Sequence, residues 1–295
     1  MAHTHSPHTH HAPADARHEG HAHGDEDTMA VLLDLDAEVL RDYLSELTAW
    51  IGDLAAGTPV RRILDLGAGT GTGTFALLDR FDGAEVVALD ISAAMLERIR
   101  HKAHRLGRAE RVMAVQADLD VAWPVLDPVD LVWASSSIHH MADPDRALAE
   151  VASLLRPGGL VAVTEMDSFA RFLPEDLGFG RPGLEERSHA ALDHDRAERM
   201  PHIGSDWGAR LAAAGLLVEA ERRVVVHLTP PHADVVGRYA QTSLRHMRAG
   251  LGDHLDAQDL ATLDALADTD SPECVIHRSD LTVRTTRTTW VARRP

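Results

Sequence analysis

The sequence predicts an α/β fold: a doubly wound, mostly parallel sheet carrying helical insertions. Three observations lead there. Short runs that are apolar throughout alternate with segments of helical periodicity, as expected of strands buried on both faces. A glycine-rich turn joins the first run to the helix after it, and acidic residues stand at the ends of the first three runs.

The elements follow in order. From Asp36 to Ala55, the residues Val39, Leu40, Tyr43, Leu44, Leu47, Trp50, Ile51 and Leu54 recur at steps of three and four. That is one apolar helix face, and Gly57 and Pro59 end it, giving an N-terminal helix over 36–56. Arg62–Leu66 is a short apolar strand, Thr72–Phe81 a helix, Glu85–Leu89 a strand, Ala93–Leu106 a helix and Val112–Ala117 a third strand. Leu131–Ala134, Pro144–Leu155 and Leu160–Glu165 continue as strand, helix and strand. Residues 167–205 break the rhythm: Pro174, Gly178, Gly180, Pro182 and Gly183 mark a loop before a helix near Leu184–Arg199. A helix at Asp206–Ala214 and a strand at Leu217–Leu228 restore it, and a second insertion, 229–280, reads as helical. The last strand, Leu281–Ala292, alternates Thr and Arg and fits a half-exposed position better than a buried parallel one.

Composition narrows the functional classes. The chain has 295 residues, 44% of them hydrophobic, enough for one domain over 28–295 with its own core. Its 46 acidic and 29 basic side chains give a net charge of -17. A nucleic-acid partner or an anionic membrane surface would call for a basic footprint, so neither is expected. Cys274 is the only cysteine, which rules out an internal disulfide and a cysteine-based zinc site. No apolar run approaches the roughly 20 residues of a membrane span, and no apolar leader opens the chain, so a cytoplasmic protein is expected. Residues 1–27 hold eight of the twenty histidines (His3, His5, His8, His10, His11, His18, His21, His23) among Pro, Thr and acids. This reads as a disordered tail, either merely solvated or a weak tether for transition metals; no metal site is expected elsewhere.

The most informative segment is Ile63-Leu-Asp-Leu-Gly67-Ala-Gly69-Thr-Gly71-Thr-Gly73-Thr74. No register of it gives the G-x-G-x-x-G of dinucleotide sites, and no Lys-Ser/Thr follows to make a P-loop. Asp65 would repel a pyrophosphate but suits a cationic or amino-bearing ligand. The run Asp65-x-Gly67-x-Gly69-x-Gly71 resembles motif I of the class I S-adenosylmethionine-dependent methyltransferases. Further markers fit: Asp90 at the end of the second strand, Asp118 at the end of the third, the stretch from Asp130 to Met141, and Leu155-Arg-Pro-Gly-Gly159 before the fifth strand. Together they cover residues 60–166. The resemblance implies a Rossmann-like seven-stranded sheet with its last strand antiparallel, and S-adenosyl-L-methionine as cofactor. It implies that Asp65, Gly67, Ala68, Gly69, Thr70 and Gly71 cradle the methionine end. Asp90 and Ile91 would take the ribose side, Asp118 and Leu119 the adenine, and Ser135 the exit of the fourth strand.

The implied activity is methyl transfer to an O, N or C nucleophile of a small molecule, as in the ubiquinone/menaquinone-methylase-like group. A hydroxyl acceptor would need a base, and His140, then His139, stand at the right strand exit. Glu165 and Asp167 could bind an amine or act as base, though a solvated loop start explains them as well. His189, His194 and His202 read more simply as surface residues, and Tyr43 and Trp50 as core. Ser135-Ser136-Ser137 replaces the Asn/Asp-Pro-Pro-Tyr/Phe of amino-methylases acting on DNA bases or glutamine. Residues 167–205 and 229–280 would form a lid. The alternatives are a peptide or protein methyltransferase, and a non-catalytic metal-binding protein working through its tail; a homodimer stays open.

Overall fold

The computed structural model describes the backbone of residues 15–252 and 254–295, with side chains from residue 26 on except 194 and 195. Seven strands form one sheet: β1 (Arg62–Leu66), β2 (Glu85–Asp90), β3 (Val112–Gln116), β4 (Val129–Ser135), β5 (Leu155–Arg171), β6 (Leu217–Leu228) and β7 (Val283–Arg293). Their order is β3-β2-β1-β4-β5-β7-β6. β1 to β5 pair in parallel, whereas β7 runs antiparallel to both β5 and β6. β6 therefore shares the direction of the first five, and six strands end on one edge. The doubly wound sheet with a reversed last strand is as the sequence predicts.

Helices α2 (Arg41–Leu54), α3 (Thr72–Arg80) and α4 (Ala93–Arg105) cover one face, where Leu47, Ile51, Phe75, Leu96 and Ile99 meet Ile63, Val86 and Leu131. Helices α5 (Pro144–Leu154) and α7 (Trp207–Ala213) cover the other, packing Leu148, Val151 and Trp207 on Leu64, Val132 and Val161. Local chemistry starts these helices. Ser92, Asp143 and Asp206 each accept a backbone N–H at a helix N-terminus, and Pro144 opens α5 with its ring in the first turn.

A third apolar cluster sits beyond the carboxyl edge of the sheet. It joins α1 (Asp15–Val39), the end of β5, α6 (Leu184–Arg199), α8 (Asp234–Leu251), α9 (Ala257–Ala267) and the start of β7, through residues such as Leu35, Phe172, Leu184, Tyr239, Leu244 and Leu263. The two insertions thus share one core with the N-terminal helix.

Four expectations need correction. The single helix over 36–56 is two, α1 and α2, broken at Leu40 (φ −97°, ψ 20°). The reason is that Leu35 and Leu40 enter the third cluster while Leu47 and Ile51 enter the sheet core, and one straight helix cannot serve both. The backbone is already helical from Asp15, inside the tail expected to be disordered over 1–27. His3 to His11 lie outside the described residues, as do the side chains of His18, His21 and His23, and the metal-tether expectation falls on these. β5 does not stop at Glu165 but runs on to Arg171, because β7 offers it partners: Ser168 faces Thr286 and Arg171 faces Arg284, with register shifts between. Finally, β7 is not half-exposed. It lies between β5 and β6, and Thr285, Thr288, Thr289 and Arg287 are buried, with hydrogen bonds to Ser168, Asp167, Thr164 and Asp36 in that order. Threonine suits such a strand because its branched carbon packs like valine while its hydroxyl finds a partner. Among the described residues no helix is long and apolar enough to cross a membrane, and no three His, Cys, Asp or Glu converge as metal ligands.

Candidate active site

The glycine loop leaves β1 at the carboxyl edge, where parallel sheets bind ligands. Gly67, Gly69 and Gly71 all hold left-handed backbone angles, with φ of 71°, 53° and 84°. Glycine adopts these without a Cβ penalty. At Gly67 the need is also spatial, since a Cβ would fall 2.4 Å from the Cβ of Ser137. That close approach joins the loop to the exit of β4, where the Ser137 hydroxyl donates to the Leu66 carbonyl at 2.7 Å. Ser136 sits between them at φ 52°, a conformation unusual for a residue with a side chain, and its N–H donates to the Thr164 carbonyl at 2.8 Å. Ser136 and Ser137 were not singled out in the sequence as binding residues; small hydroxyl side chains directly after a fully buried strand were the available signal.

Asp90 brackets the loop from β2. Its Oδ2 accepts the Gly69 N–H at 2.8 Å and its Oδ1 the Ser92 N–H at 2.9 Å. A carboxylate has about four acceptor positions, so two remain for a ligand. Ile91, next in the chain, is 63% exposed, a bare apolar surface at the ligand edge. Asp118 is exposed and accepts the Asp120 N–H, but Leu119 turns into the core beside Ile138 and offers little surface, contrary to the role of ring platform. Ser135 is half-buried at the end of β4, opposite Thr164. Ala68 and Thr70 are buried within the loop, and the hydroxyls of Thr70, Thr72 and Ser136 have no hydrogen-bond partner among the described residues.

Asp65, read from the sequence as suited to a cationic or amino-bearing ligand, is enclosed. It is 2% exposed, and its Oδ2 accepts the Thr74 hydroxyl at 2.6 Å, tying β1 to α3. Burial pushes its carboxyl up to about 7; the Thr74 hydrogen bond opposes the rise and Asp90 adds to it. No Lys or Arg forms a salt bridge with it among the described residues, so a cationic ligand would supply the missing countercharge. The sign of the linkage is clear. A carboxyl raised on folding contributes stability that is whole below its ordinary value near 3.9 and is lost as pH rises through about 7. Asp65→Asn cannot ionise. In thermal melts of the ligand-free protein, the variant should gain on the wild type by a few degrees between pH 4 and pH 8. Wild-type cofactor affinity, measured by calorimetry, should fall as pH drops below about 7, and the variant should bind more weakly at every pH. A constant gap between the two melting curves would contradict the assignment.

The histidines at the exit of β4 part company. His139 is 1% exposed, and its Nδ1 lies 2.5 Å from Oε2 of Glu165, itself 3% exposed, on β5. His140 keeps one side in solvent and rests the other on His139, ring centroids 4.1 Å apart. Desolvation, then the charge of His139, pushes the His140 imidazole down to about 4. Glu165 is thus an internal partner and no loop residue, while Asp167 is engaged by Arg223 at 2.7 Å and by the Thr288 hydroxyl at 2.9 Å. In the lid His189 is buried, with burial and then Arg171 and Arg196 pushing it down to about 4; His202 lies in the turn after α6, and the side chain of His194 is not described. Tyr43 and Trp50 pack on the sheet core as read, but Tyr43 keeps a buried hydroxyl without a hydrogen bond.

Helix α1 roofs the loop, which its composition did not signal. A Cβ at Gly69 would meet Cδ1 of Leu33 at 3.1 Å, and Arg98 of α4 holds Asp27 of α1 at 2.6 Å.

The sequence from residue 64 to 161 matches a family model described as "Methyltransferase domain". A trans-aconitate 2-methyltransferase from Methylobacterium nodulans is 30% identical over 238 residues, 79% of this chain and 89% of that one. The chain belongs to the class I S-adenosylmethionine-dependent methyltransferases. A malonyl-[acyl-carrier protein] O-methyltransferase from Halorhodospira halophila is 37% identical over 150 residues, and there the methyltransferase described here spans 48% of its relative's length. A crystal structure of a Bacillus halodurans protein assigned as a methyltransferase shares the fold, with TM-score 0.53, 20% identity, and coverage of 84% and 98% of the two chains. The cofactor of this methyltransferase is S-adenosyl-L-methionine, and the site fits it. The left-handed glycines leave room for close approach, Asp90 keeps free acceptor positions for a diol, Ile91 offers a bare apolar surface, and Asp65 lacks a cation.

Proposed function

We propose that this methyltransferase moves the methyl group of S-adenosyl-L-methionine to a carboxylate oxygen of a small organic acid. The observation that carries the reading is the exit of β4, which holds no strong base. His139 is enclosed and engaged by Glu165, and His140, at about 4, is a neutral ring with little appetite for a proton at physiological pH. A hydroxyl or ammonium acceptor must shed a proton, whereas a carboxylate with an ordinary pKa near 4 is already an anion. The relatives' names, trans-aconitate 2-methyltransferase and malonyl-[acyl-carrier protein] O-methyltransferase, also point to acids. The lid supports a small acceptor over a protein, because α1, α6, α8 and α9 close over the carboxyl edge in one apolar cluster.

When bound, the cofactor supplies an electrophilic methyl on sulfur and a neutral thioether leaving group. The chain's own contribution is placement. The glycine loop and Ser136–Ser137 fix the position of the donor, and the lid excludes water so that the acceptor stands within about 3–3.5 Å of the methyl group.

With labelled cofactor and a panel of small acids, phenols and amines, label should appear in acids as a methyl ester released by mild alkali. Turnover at saturation should stay flat from about pH 5.5 upward, because His140 is already neutral there. His140→Ala should cost less than about tenfold, against the roughly 10²–10⁴ expected of a general base. Transfer to phenols or amines and to no acid would end this reading.

A further inference from the structure

Three helices converge on one buried cation. Arg287 of β7 is 9% exposed, and its Nη2 donates to Oδ1 of Asp36 on α1 at 2.6 Å. The same oxygen accepts the Tyr239 hydroxyl from α8 at 2.7 Å. A guanidinium presents five N–H donors in a rigid fork, and an enclosed donor is seldom left without an acceptor. Arg287 Nε is buried and has no acceptor among the described residues. Beside it on α2, the Tyr43 ring lies 5.8 Å from the guanidinium carbon, and its hydroxyl is buried and unbonded too. The Thr289 hydroxyl, which shares a hydrogen bond with Thr164 at 2.8 Å, lies near the Tyr43 oxygen and keeps acceptor capacity, but the two do not meet in hydrogen-bond geometry.

The place of this cluster matters. Asp36 follows Leu33 by three residues, so both lie on one face of α1. Leu33 is the residue above Gly69. In the sheet Arg287 stands opposite Met166, one residue past Glu165 on β5. Along α1 the rise from Leu33 to Asp36 is about 4.5 Å, under one helical turn, so the residue above the glycine loop and the residue that holds Arg287 are neighbours on one helix. The guanidinium lies toward β5, away from Asp90 and the nucleotide side of the site.

We propose that Arg287 Nε and Tyr43 Oη anchor a carboxylate of the acceptor, and that this carboxylate is not the one methylated. The proposal rests on the reading of an acid acceptor given above. A carboxylate gripped by a guanidinium has its lone pairs engaged and is a poor nucleophile. Anchor and nucleophile must therefore be different groups, and the acceptor is a di-acid. Asp36 occupies the Nη2 donor and leaves the Nε donor to the ligand.

The same chemistry exists at the amino-acid end of the cofactor, so the test separates the two sources. Binding of the di-acids from malonate to adipate, and of the matching mono-acids, is measured by calorimetry on the full chain with S-adenosylhomocysteine present. At least one di-acid should bind about 10- to 100-fold more tightly than its mono-acid counterpart, the worth of a charge-assisted hydrogen bond. Arg287→Lys and Tyr43→Phe should each abolish most of that preference and leave S-adenosylhomocysteine affinity within about twofold of wild type, as expected when only acceptor contacts are lost. Tyr43→Phe removes a single oxygen and guards against a folding defect in the arginine variant. No di-acid preference in the wild type, or a preference that survives both substitutions, overturns the anchor. Weaker binding of S-adenosylhomocysteine with unchanged binding of methylthioadenosine, which lacks the amino-acid end, gives the carboxylate to the cofactor and also overturns it. Esterification of mono-acids and di-acids alike removes the anchor while leaving the acid acceptor standing; label in phenols or amines alone removes both.

Discussion

Gly67→Ala is expected to lower cofactor affinity by more than about 100-fold while the protein stays folded. Two costs add at this position. The left-handed backbone, φ 71°, penalises any Cβ by about 1–2 kcal/mol. The new Cβ would also stand 2.4 Å from that of Ser137, whose own hydroxyl is bonded to the Leu66 carbonyl. The loop has to move, and it carries the Gly69 N–H away from Asp90. Each charge-assisted hydrogen bond to the ligand that the displaced loop and Asp90 no longer make costs about 1.5–3 kcal/mol, tenfold or more in affinity. Gly83→Ala is the control: its φ is 72° and nothing lies within 4 Å of its added carbon, so it bears the strain without the clash. Calorimetry with S-adenosylhomocysteine should find the control near wild type and the loop variant nearly blank. Equal losses in both variants would show that strain alone governs the loop.

Glu165→Ala should be the most damaging substitution for stability. A carboxylate only accepts, so His139 Nδ1 carries the proton between them. The pair ties the exit of β4 to β5 at a point sealed from water, and its outer atoms, His139 Nε2 and Glu165 Oε1, have no partner among the described residues. Removing one member of such a pair strands the other and costs about 3–5 kcal/mol. For a chain of this size that is a fall in melting temperature of about 5–8 °C. Glu165→Gln keeps an acceptor and should recover most of the lost stability, with turnover close to wild type. That result would mark the pair as a device for positioning Ser136 and Ser137. A melting temperature for Glu165→Ala within about 2 °C of wild type would contradict the stated burial cost.

Much of this was legible from local signals. The alternation of buried strands and amphipathic helices, the glycines of the loop and the acid two residues before Gly67 are properties of short windows, and they set the sheet, the loop and the cofactor. The polar final strand is legible too, but its surroundings are not: a Thr/Arg alternation looks half-exposed until β6 is seen to lie outside it. The break at Leu40 escaped because the apolar period runs through it, while the two halves of that stripe serve different cores.

The sequence by itself determined the fold class, the glycine loop, the bracketing carboxylate Asp90 and the family, because each depends on residues near one another in the chain or on periodicity along it. Only the tertiary structure decided which polar groups are enclosed and how they pair. It enclosed Asp65 behind the loop, gave His139 to Glu165 26 residues away, and brought Asp36 to Arg287 across 251 residues. Burial and pairing between distant segments set the charge and availability of a side chain, and neither leaves a pattern in local sequence.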